Sequence, residues 1–508
     1  MARPGHNDAV SSLLLRHVRL VPIRTAAPTE PVSVRIVDGT IVAVAPEISP
    51  ERGDEVVEAD GRWAAPGLWD QHVHLTQWAQ TRTRLDVSGT TDPTQVTALV
   101  GEQLRTHPDD DWVFGYGFRL TEWERPPTVA ELDAVSGGRP VVLTSGDAHT
   151  GWLNTAALAA LGAEPTDGPV TEAPWFTLMT QVVELTSTQD GGSGIDEAIA
   201  EAAGRGVVGL VDFEFAEPLR TWPERVARGI DAVAVRRAVY PDYLDEVIAA
   251  GLRTGDPLTP DGLVTMGPLK IISDGSLNTR TAFCHEPYAG SSDRGVQNHD
   301  RAALAALLER ATAHGLAAAV HAIGDAAVHE ALAAFAGSGA TGSIEHAQLM
   351  APADIATMAA LGVTASVQPA HLLDDRDVAA RLWPDREQDC FPLRSLLDAG
   401  VTVTFGSDAP VSALDPWTAM AAAVHRSDDA REPWNPAQAM TPAEALAASV
   451  DGRDTLSPGR RADLVLLDRD PLPATDDSSV AAARLREVGA EATLRAGRFT
   501  HARSGLRG

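Results

Sequence analysis

Eight short runs of apolar and β-branched residues, separated by segments with helix signals, occupy the middle of this 508-residue chain. Alternating strands and helices predict a parallel sheet, and eight repeats over about 390 residues favour a closed barrel over an open sheet. We therefore predict an α/β fold built on a distorted (β/α)8 TIM barrel. The runs are Ala64–Leu75, Val207–Phe213, Ala232–Tyr240, Leu263–Ser273, Leu316–Ala322, Gly342–His346, Val363–Gln368 and Val401–Ser407.

The two ends of the chain have a different, all-β character. Asp38-Gly39 lies between two β-branched runs, which is a strong hairpin signal. Similar short runs return at Ala462–Asp468 and Glu491–Phe499. Because chain termini often lie close together, we expect residues 1–64 and 458–508 to form one small composite β-sandwich domain.

The barrel itself would occupy residues 65–457. Residues 76–200 follow its first strand and are much longer than a βα loop of about 2–6 residues. We expect them to form an inserted subdomain over the barrel mouth. Six tryptophans between the first strand and the end of this insertion indicate either an aromatic substrate pocket or the core of the insertion. They are Trp69, Trp78, Trp112, Trp123, Trp152 and Trp175.

The chain is strongly acidic, with 70 Asp and Glu against 41 Lys and Arg and a formal net charge of −29. Such a field repels nucleic-acid phosphates and anionic lipid surfaces, so we expect neither nucleic acid nor a membrane as a partner. Cys284 and Cys390 form no disulfide framework, and residues 1–20 lack a signal-peptide core, which indicates a cytoplasmic location. The expected partner is a small-molecule substrate, and a homodimer is compatible with the sequence.

The clearest chemical signal is a His-x-His pair at the end of the first barrel strand. His72 and His74 are two residues apart, so a strand would point both imidazoles to the same face, where they could bind one metal ion. Asp70 lies two residues before His72, so it would point to the same face of the strand and could orient a ligand. Taken alone, the pair is equally consistent with two surface or core histidines that bind no metal.

More residues of the same kind recur at or near the ends of later strands. They are Lys270 in the fourth run, His321 in the fifth, His346 in the sixth and Asp408 after the eighth. In barrels of this kind the chemistry gathers at the carboxyl ends of the strands. Histidine and carboxylate ligands without thiolate favour zinc over manganese, iron, nickel or cobalt.

This order of residues resembles that of the amidohydrolase superfamily. The surrounding sequence is similar to that of amidohydrolase family 3, which contains N-substituted formamide deformylases. The matching segments include APGLWDQHVHL, LKIISDGSLNTRTA, VHAIGDAAVHEAL, IEHAQL, SVQPAHLLDD and LLDAGVTVTFGSDAPV. The resemblance implies a metal-dependent hydrolase of a non-peptide C–N bond, in an amide, an N-acyl or an N-formyl group. It does not identify the substrate.

Lys270 is the only lysine in the chain, and the other basic residues are arginines. In relatives with this lysine, CO2 converts it to a carbamate that bridges two metal ions, so the resemblance implies two Zn²⁺ ions bridged by carbamylated Lys270. A guanidinium stays protonated and cannot take this role, which would explain why lysine is kept here. The alternative is a lysine in a structural ion pair.

The resemblance also implies a role for each ligand. His72 and His74 would hold the more buried ion together with Asp408, and His321 and His346 would hold the other. A hydroxide between the two ions would attack the carbonyl carbon. Asp408 would be the catalytic acid and base, accepting the proton of water and passing it to the leaving nitrogen.

Three residues are predicted to contact the substrate, each with a structural alternative. His149 and Trp152 lie in the insertion and could instead pack within it, and Arg280 could be a solvated loop residue. Asp325 is predicted to cap a helix or orient His321. For Gln368 and His371, after the seventh strand, a pocket role and a turn role both stay open.

Two other functions stay open. A mononuclear deaminase of the same superfamily would use His72, His74, His321 and Asp408 without needing Lys270, and one bound ion per chain would distinguish it from the two-ion enzyme. A non-catalytic scaffold on the same fold is the less favoured alternative, because such proteins typically lose ligands and this chain has them all.

Overall fold

The computed structural model describes residues 12–189, 193–504 and 506. Its centre is a sheet of eight parallel strands in the order β18-β17-β16-β15-β14-β13-β12-β6, numbered along the chain. This confirms the predicted α/β barrel, and each predicted run contains one of its strands. They are β6 (Leu68–Val73), β12 (Val207–Asp212), β13 (Ala234–Val239), β14 (Val264–Ile272), β15 (Ala318–Ala322), β16 (Gly342–His346), β17 (Thr364–Val367) and β18 (Val403–Phe405).

Helices follow the barrel strands and pack against them around a continuous apolar core. Side chains cap two of these helices: Asp300 accepts a hydrogen bond from the N–H of Ala303, and Thr441 and Glu444 form a capping box. Within the described part of the chain, no helix is long and apolar enough to cross a membrane. The helices are α7 (Thr221–Ala227), α8 (Leu244–Ala249), α9 (Arg301–Ala313), α10 (Asp325–Ser338), α11 (Pro352–Leu361), α12 (His371–Leu382), α13 (Leu393–Asp398), α14 (Pro416–His425), α15 (Pro442–Ala448) and α16 (Ser478–Arg486).

The buried carboxylate of Asp70 joins the first barrel strand to the segment after the last. One of its oxygens accepts hydrogen bonds from the backbone N–H groups of His72 at 3.0 Å and Ser407 at 2.9 Å. The N–H of Asp408 donates to the His72 carbonyl at 2.7 Å. Gly406 permits this approach, because a Cβ there would lie 2.5 Å from the Cβ of His72. The closure therefore brings His72 and Asp408 side by side.

The two ends of the chain share one sheet, with the path β21-β20-β19-β5-β1-β2-β3 and β4 paired to β1. β19 pairs antiparallel with β5, so the C-terminal segment extends the N-terminal strands, and strands from both ends enclose a separate apolar core. Residues 1–11, 505 and 507–508 of the predicted terminal domain lie outside the described residues. The strands are β1 (Ser12–Leu20), β2 (Val32–Val37), β3 (Thr40–Ala45), β4 (Glu55–Glu58), β5 (Trp63–Pro66), β19 (Leu464–Leu467), β20 (Ala490–Arg495) and β21 (Arg498–Ala502).

The segment between β6 and β12 builds a smaller sheet of its own, with the order β11-β10-β9-β8-β7. Two clusters of buried apolar side chains pack on it, and its loop at Asp147 and His149 reaches the barrel cavity. Residues 190–192 of the predicted insertion lie outside the described residues. Its elements are α1 (Leu75–Gln80), β7 (Leu85–Asp86), α2 (Pro93–Thr106), β8 (Val113–Phe118), α3 (Val129–Ser136), β9 (Val141–Ser145), β10 (Thr150–Leu153), α4 (Thr155–Ala160), β11 (Val170–Thr171), α5 (Glu172–Gln189) and α6 (Ser193–Gly204).

Candidate metal centre

The six residues predicted as metal ligands converge in one buried cavity at the carboxyl ends of the barrel strands. His72, His74, Lys270, His321, His346 and Asp408 all line it. His346 and Asp408 have φ angles of +71° and +56°, a conformation that residues other than glycine rarely adopt. Strain of this kind collects at functional sites, where the surrounding structure holds it in place.

A buried carboxylate that the sequence reasoning missed orients His72. Nδ1 of His72 donates to Oε2 of Glu345 at 2.8 Å, and Glu345 lies on β16 beside His346. Because Nδ1 carries the hydrogen, Nε2 presents its lone pair to the cavity, where Nζ of Lys270 lies 3.2 Å away. A charged residue inside the apolar run of β16 was the only sequence signal for Glu345.

The carboxylate of Asp408 lies at the centre of the histidines. Its Oδ1 is 3.4 Å from Nε2 of His72 and 3.5 Å from Nε2 of His74, and its Oδ2 is 3.9 Å from Nε2 of His371. Two groups of three ligand atoms therefore share Asp408. One is His72, His74 and Asp408, and the other is His346, His371 and Asp408, with the atoms of each group within 4.8 Å of one another. His371 thus lies at the cavity.

His321 packs edge-on against His346, with ring centroids 4.5 Å apart. Its Nε2 donates to the Gly275 carbonyl at 3.3 Å and lies 3.4 Å from Asp274, so Nδ1 is the nitrogen available to a cation. Asp274 is buried and accepts three backbone hydrogen bonds. Asp325 has no hydrogen bond to His321 among the described residues; it accepts from the backbone N–H groups of His285 and of Ala326 at the start of α10.

Burial keeps the imidazoles neutral. It lowers the pKa of His72, His321 and His346 well below the usual value, and that of His74 to about 3. Nδ1 of His74 and of His346 and Nε2 of His371 are buried and have no hydrogen-bond partner among the residues that the structure describes. Neutral nitrogens beside a buried carboxylate are the donor set that a divalent transition metal prefers, so the residues present fit a metal ion.

The cavity has an aromatic side and a polar side. On the first, the ring of Phe215 stacks on His74 at 5.5 Å and on Tyr240 at 4.7 Å, and Phe176 stacks on Phe215. The second is lined by charged and amide side chains, namely Arg119, Asp147, Asn278, Gln348, Asp374 and Asp375. None of the six tryptophans considered as a pocket lines either side; phenylalanines and a tyrosine form the aromatic wall.

Of the three predicted substrate contacts, the structure brings His149 alone to the cavity. Its ring lies 5.6 Å from that of His321, and its Nδ1 donates to Glu172 at 3.1 Å. Trp152 is fully buried in the core of the insertion, where its N–H donates to the Thr128 carbonyl. Arg280 is exposed on its loop, with a φ of +59°, and lines neither side of the cavity.

Burial would lower the pKa of His149, but its ion pair with Glu172 raises that pKa to about 9. The ion pair with Glu172 thus favours the protonated form of His149. Gln368, whose role was open, also faces the centre: its amide donates to the Ser366 carbonyl and lies 3.3 Å from Nδ1 of His72.

Comparisons with known proteins identify the family of this chain. The sequence profile of the amidohydrolase family matches residues 55–501. The putative amidohydrolase YtcJ of Bacillus subtilis is 26% identical over 466 residues, covering 83% of this chain and 87% of that protein. The N-substituted formamide deformylase of Arthrobacter pascens is 26% identical over 481 residues, covering 82% and 85%.

Among solved structures, an uncharacterized metal-dependent hydrolase from Pyrococcus furiosus has the same fold, with a TM-score of 0.74 and 24% identity over 91% of this chain and 100% of that one. The profile match covers most of the chain, and the histidines and Asp408 lie together at the strand ends. This chain belongs to the amidohydrolase family of hydrolases.

Proposed function

We propose that the protein hydrolyses a C–N bond other than a peptide bond, in an N-acyl or N-formyl amide, with two zinc ions bridged by carbamylated Lys270. The observation that carries the proposal is the pair of ligand groups that share Asp408 above the buried lysine. When bound, divalent ions supply Lewis-acid chemistry, lowering the pKa of water and polarising a carbonyl oxygen.

Lys270 is suited to carbamate formation. It is 2% exposed and lies 4.3 Å above the Phe213 ring. Burial lowers its pKa to about 8, so a larger share of the amine is neutral and able to react with CO2 at physiological pH. The carbamate would replace a cation by an anion among the ligands.

The chain's own residues then have distinct tasks. Asp408 takes a proton from the attacking water and returns it to the leaving nitrogen. His149, held by Glu172, donates a hydrogen bond to the substrate carbonyl oxygen. The wall of Phe176, Phe215 and Tyr240 favours a planar apolar substituent on the amide.

The test is a screen of N-formyl, N-acyl and cyclic amides, with and without an aromatic substituent, against zinc-loaded protein with bicarbonate present or absent. We expect release of amine that needs both zinc and bicarbonate, and faster release from the aromatic members. The chelated protein is the control. No amine release from any amide by a protein carrying two zinc ions would contradict the proposal.

A mononuclear deaminase is the second candidate, because His72, His74 and Asp408 alone form a complete ligand group. Such an enzyme would release ammonia from an exocyclic amine with one ion per chain. Measurement of ammonia from aminated heterocycles, together with zinc per chain, distinguishes the two activities.

A further inference from the structure

We propose that His371, which the family resemblance does not assign as a ligand, binds a metal ion directly together with His346 and Asp408. This inference rests on the metal dependence in the proposed function and changes the ligands of its second ion. The feature that carries it is a second group of buried ligand atoms on the polar side of the cavity, distinct from the group at His72 and His74.

The two oxygens of Asp408 face different groups. Oδ1 is 3.4 Å from Nε2 of His72 and 3.5 Å from Nε2 of His74, and Oδ2 is 3.9 Å from Nε2 of His371. Ligand atoms that surround a tetrahedral zinc ion at about 2.0–2.1 Å lie about 3.3–3.4 Å from one another. The two Asp408 distances in the first group are close to that spacing, and the distance from Oδ2 to His371 is about 0.5 Å longer. Asp408 thus presents one oxygen to each group, and each oxygen keeps a second lone pair for the proton that Asp408 moves in the proposed reaction.

His371 has the properties of a ligand. It is 8% exposed, and its Nε2 has no hydrogen-bond partner in the described residues. Its ring stacks on that of His346, with centroids 6.0 Å apart and planes inclined by 22°. As the first residue of α12, it has a fixed backbone next to the barrel rim. A buried nitrogen aimed at a carboxylate and left without a partner is satisfied when both bind the same cation.

The surroundings favour a cation at this place. Asp147 and Asp375 line the same side of the cavity, whereas Asp374, which also lines it, is paired with Arg119 at 2.9 Å. Asp375 is held by the amides of Gln348 at 2.9 Å and Asn278 at 3.1 Å, so it is not free to ligate. His321 uses Nε2 for the Gly275 carbonyl and keeps Nδ1 for a cation. His371 would therefore add a further nitrogen to the ligands of the second ion.

The experiment compares metal binding by the full-length wild type and three variants at position 371. His371→Gln and His371→Ala remove the ligand, whereas His371→Cys keeps one. Asp374→Asn is the matched control, because Asp374 lines the same cavity but belongs to neither ligand group. Zinc per chain is measured by mass spectrometry after dialysis, and the affinity for each Co²⁺ ion and its absorption spectrum are measured by titration.

We expect two ions on the wild type and on Asp374→Asn. In the Gln and Ala variants the weaker ion should bind at least about 100-fold less tightly, since even residues that only orient a ligand cost 10–100-fold. In His371→Cys the second Co²⁺ ion should return with a new sulfur-to-metal absorption band. Circular dichroism of each variant shows whether it is folded, and the Gln variant keeps the size of the side chain if Ala unfolds.

Two ions at wild-type affinity in a folded His371→Gln variant would overturn the inference, and a simultaneous loss of activity would then make His371 a substrate contact. A single ion on the wild type would also overturn it, while amide hydrolysis by that one-ion protein would leave the C–N bond assignment standing. Conversely, the His371 variants could lose the second ion as expected while the wild type cleaves no amide. That result would refute the assigned reaction and would support His371 as a ligand.

Discussion

Lys270→Arg is the substitution with the most informative outcome, because arginine fills every other basic position in the chain. Nζ of Lys270 lies 3.2 Å from Nε2 of His72, so an ion about 2.1 Å from that nitrogen lies within about 5 Å of the lysine charge. A permanent guanidinium there would repel a divalent ion by about 7 kcal/mol at an effective dielectric constant of about 20. That corresponds to roughly a 10⁵-fold loss of affinity.

The assay follows zinc content, turnover and the carbamate itself. With ¹³C-bicarbonate, wild type should show one lysine carbamate signal, whose assignment is unambiguous because the chain has one lysine. Lys270→Arg should lose the signal, both ions and activity together. Lys270→Ala should regain part of its metal and turnover when a small carboxylate such as propionate supplies the missing anion. Wild-type zinc content in a folded Lys270→Arg variant would refute the bridging role.

Three further predictions address other parts of the site. Asp408→Asn should lower kcat by about 10²–10⁴-fold, the usual contribution of a general acid or base, while zinc content falls only in part because the histidine ligands remain. Steady-state kinetics with metal analysis would show unchanged kcat if Asp408 moves no proton. Gly406→Ala should lower the melting temperature of the metal-free protein, since the new Cβ would lie 2.5 Å from that of His72; an unchanged melting temperature would mean that the barrel closure is less tight than described. The pKa of His149, raised to about 9 by Glu172 against burial, is higher in the folded chain than the unfolded value of about 6.5. The ion pair therefore contributes stability that is fully present below about pH 6.5 and lost as the pH rises to about 9, about 3 kcal/mol in all. Denaturant unfolding of metal-free Glu172→Gln should lack this part of the wild-type pH dependence, and parallel pH curves for the two proteins would contradict the assignment.

The sequence was informative where local periodicity decides geometry. His72 and His74 are two residues apart on a strand, so their shared direction follows from the strand alone. Asp408 comes directly after the last barrel strand, and in a closed barrel that strand must neighbour the first. The contact between Asp408 and the His-x-His pair could therefore be predicted from the number of barrel strands alone.

Residues whose roles depend on tertiary contacts were beyond such reasoning. Glu345 orients His72 across 273 positions of sequence, and no local pattern separates such a carboxylate from one in a structural ion pair. Trp152 and His149 come from the same loop and strand of the insertion, yet only His149 reaches the cavity, because the small sheet buries Trp152 behind it. Which residue of an insertion faces the barrel depends on how the insertion docks.

The hydrogen bonds of Asp70 set the order in which this protein can be assembled during synthesis. The carboxylate joins His72 to Ser407, 337 positions after Asp70, and Asp408 follows at once. A ribosome that adds about 5–20 residues per second therefore exposes the His-x-His pair for roughly 17–70 seconds before the last ligand is made. During that time the nascent chain offers only scattered imidazoles. A metal ion can therefore bind to a complete ligand group only after the barrel has closed. A chain truncated before residue 407 lacks Asp408 and has neither of the two ligand groups.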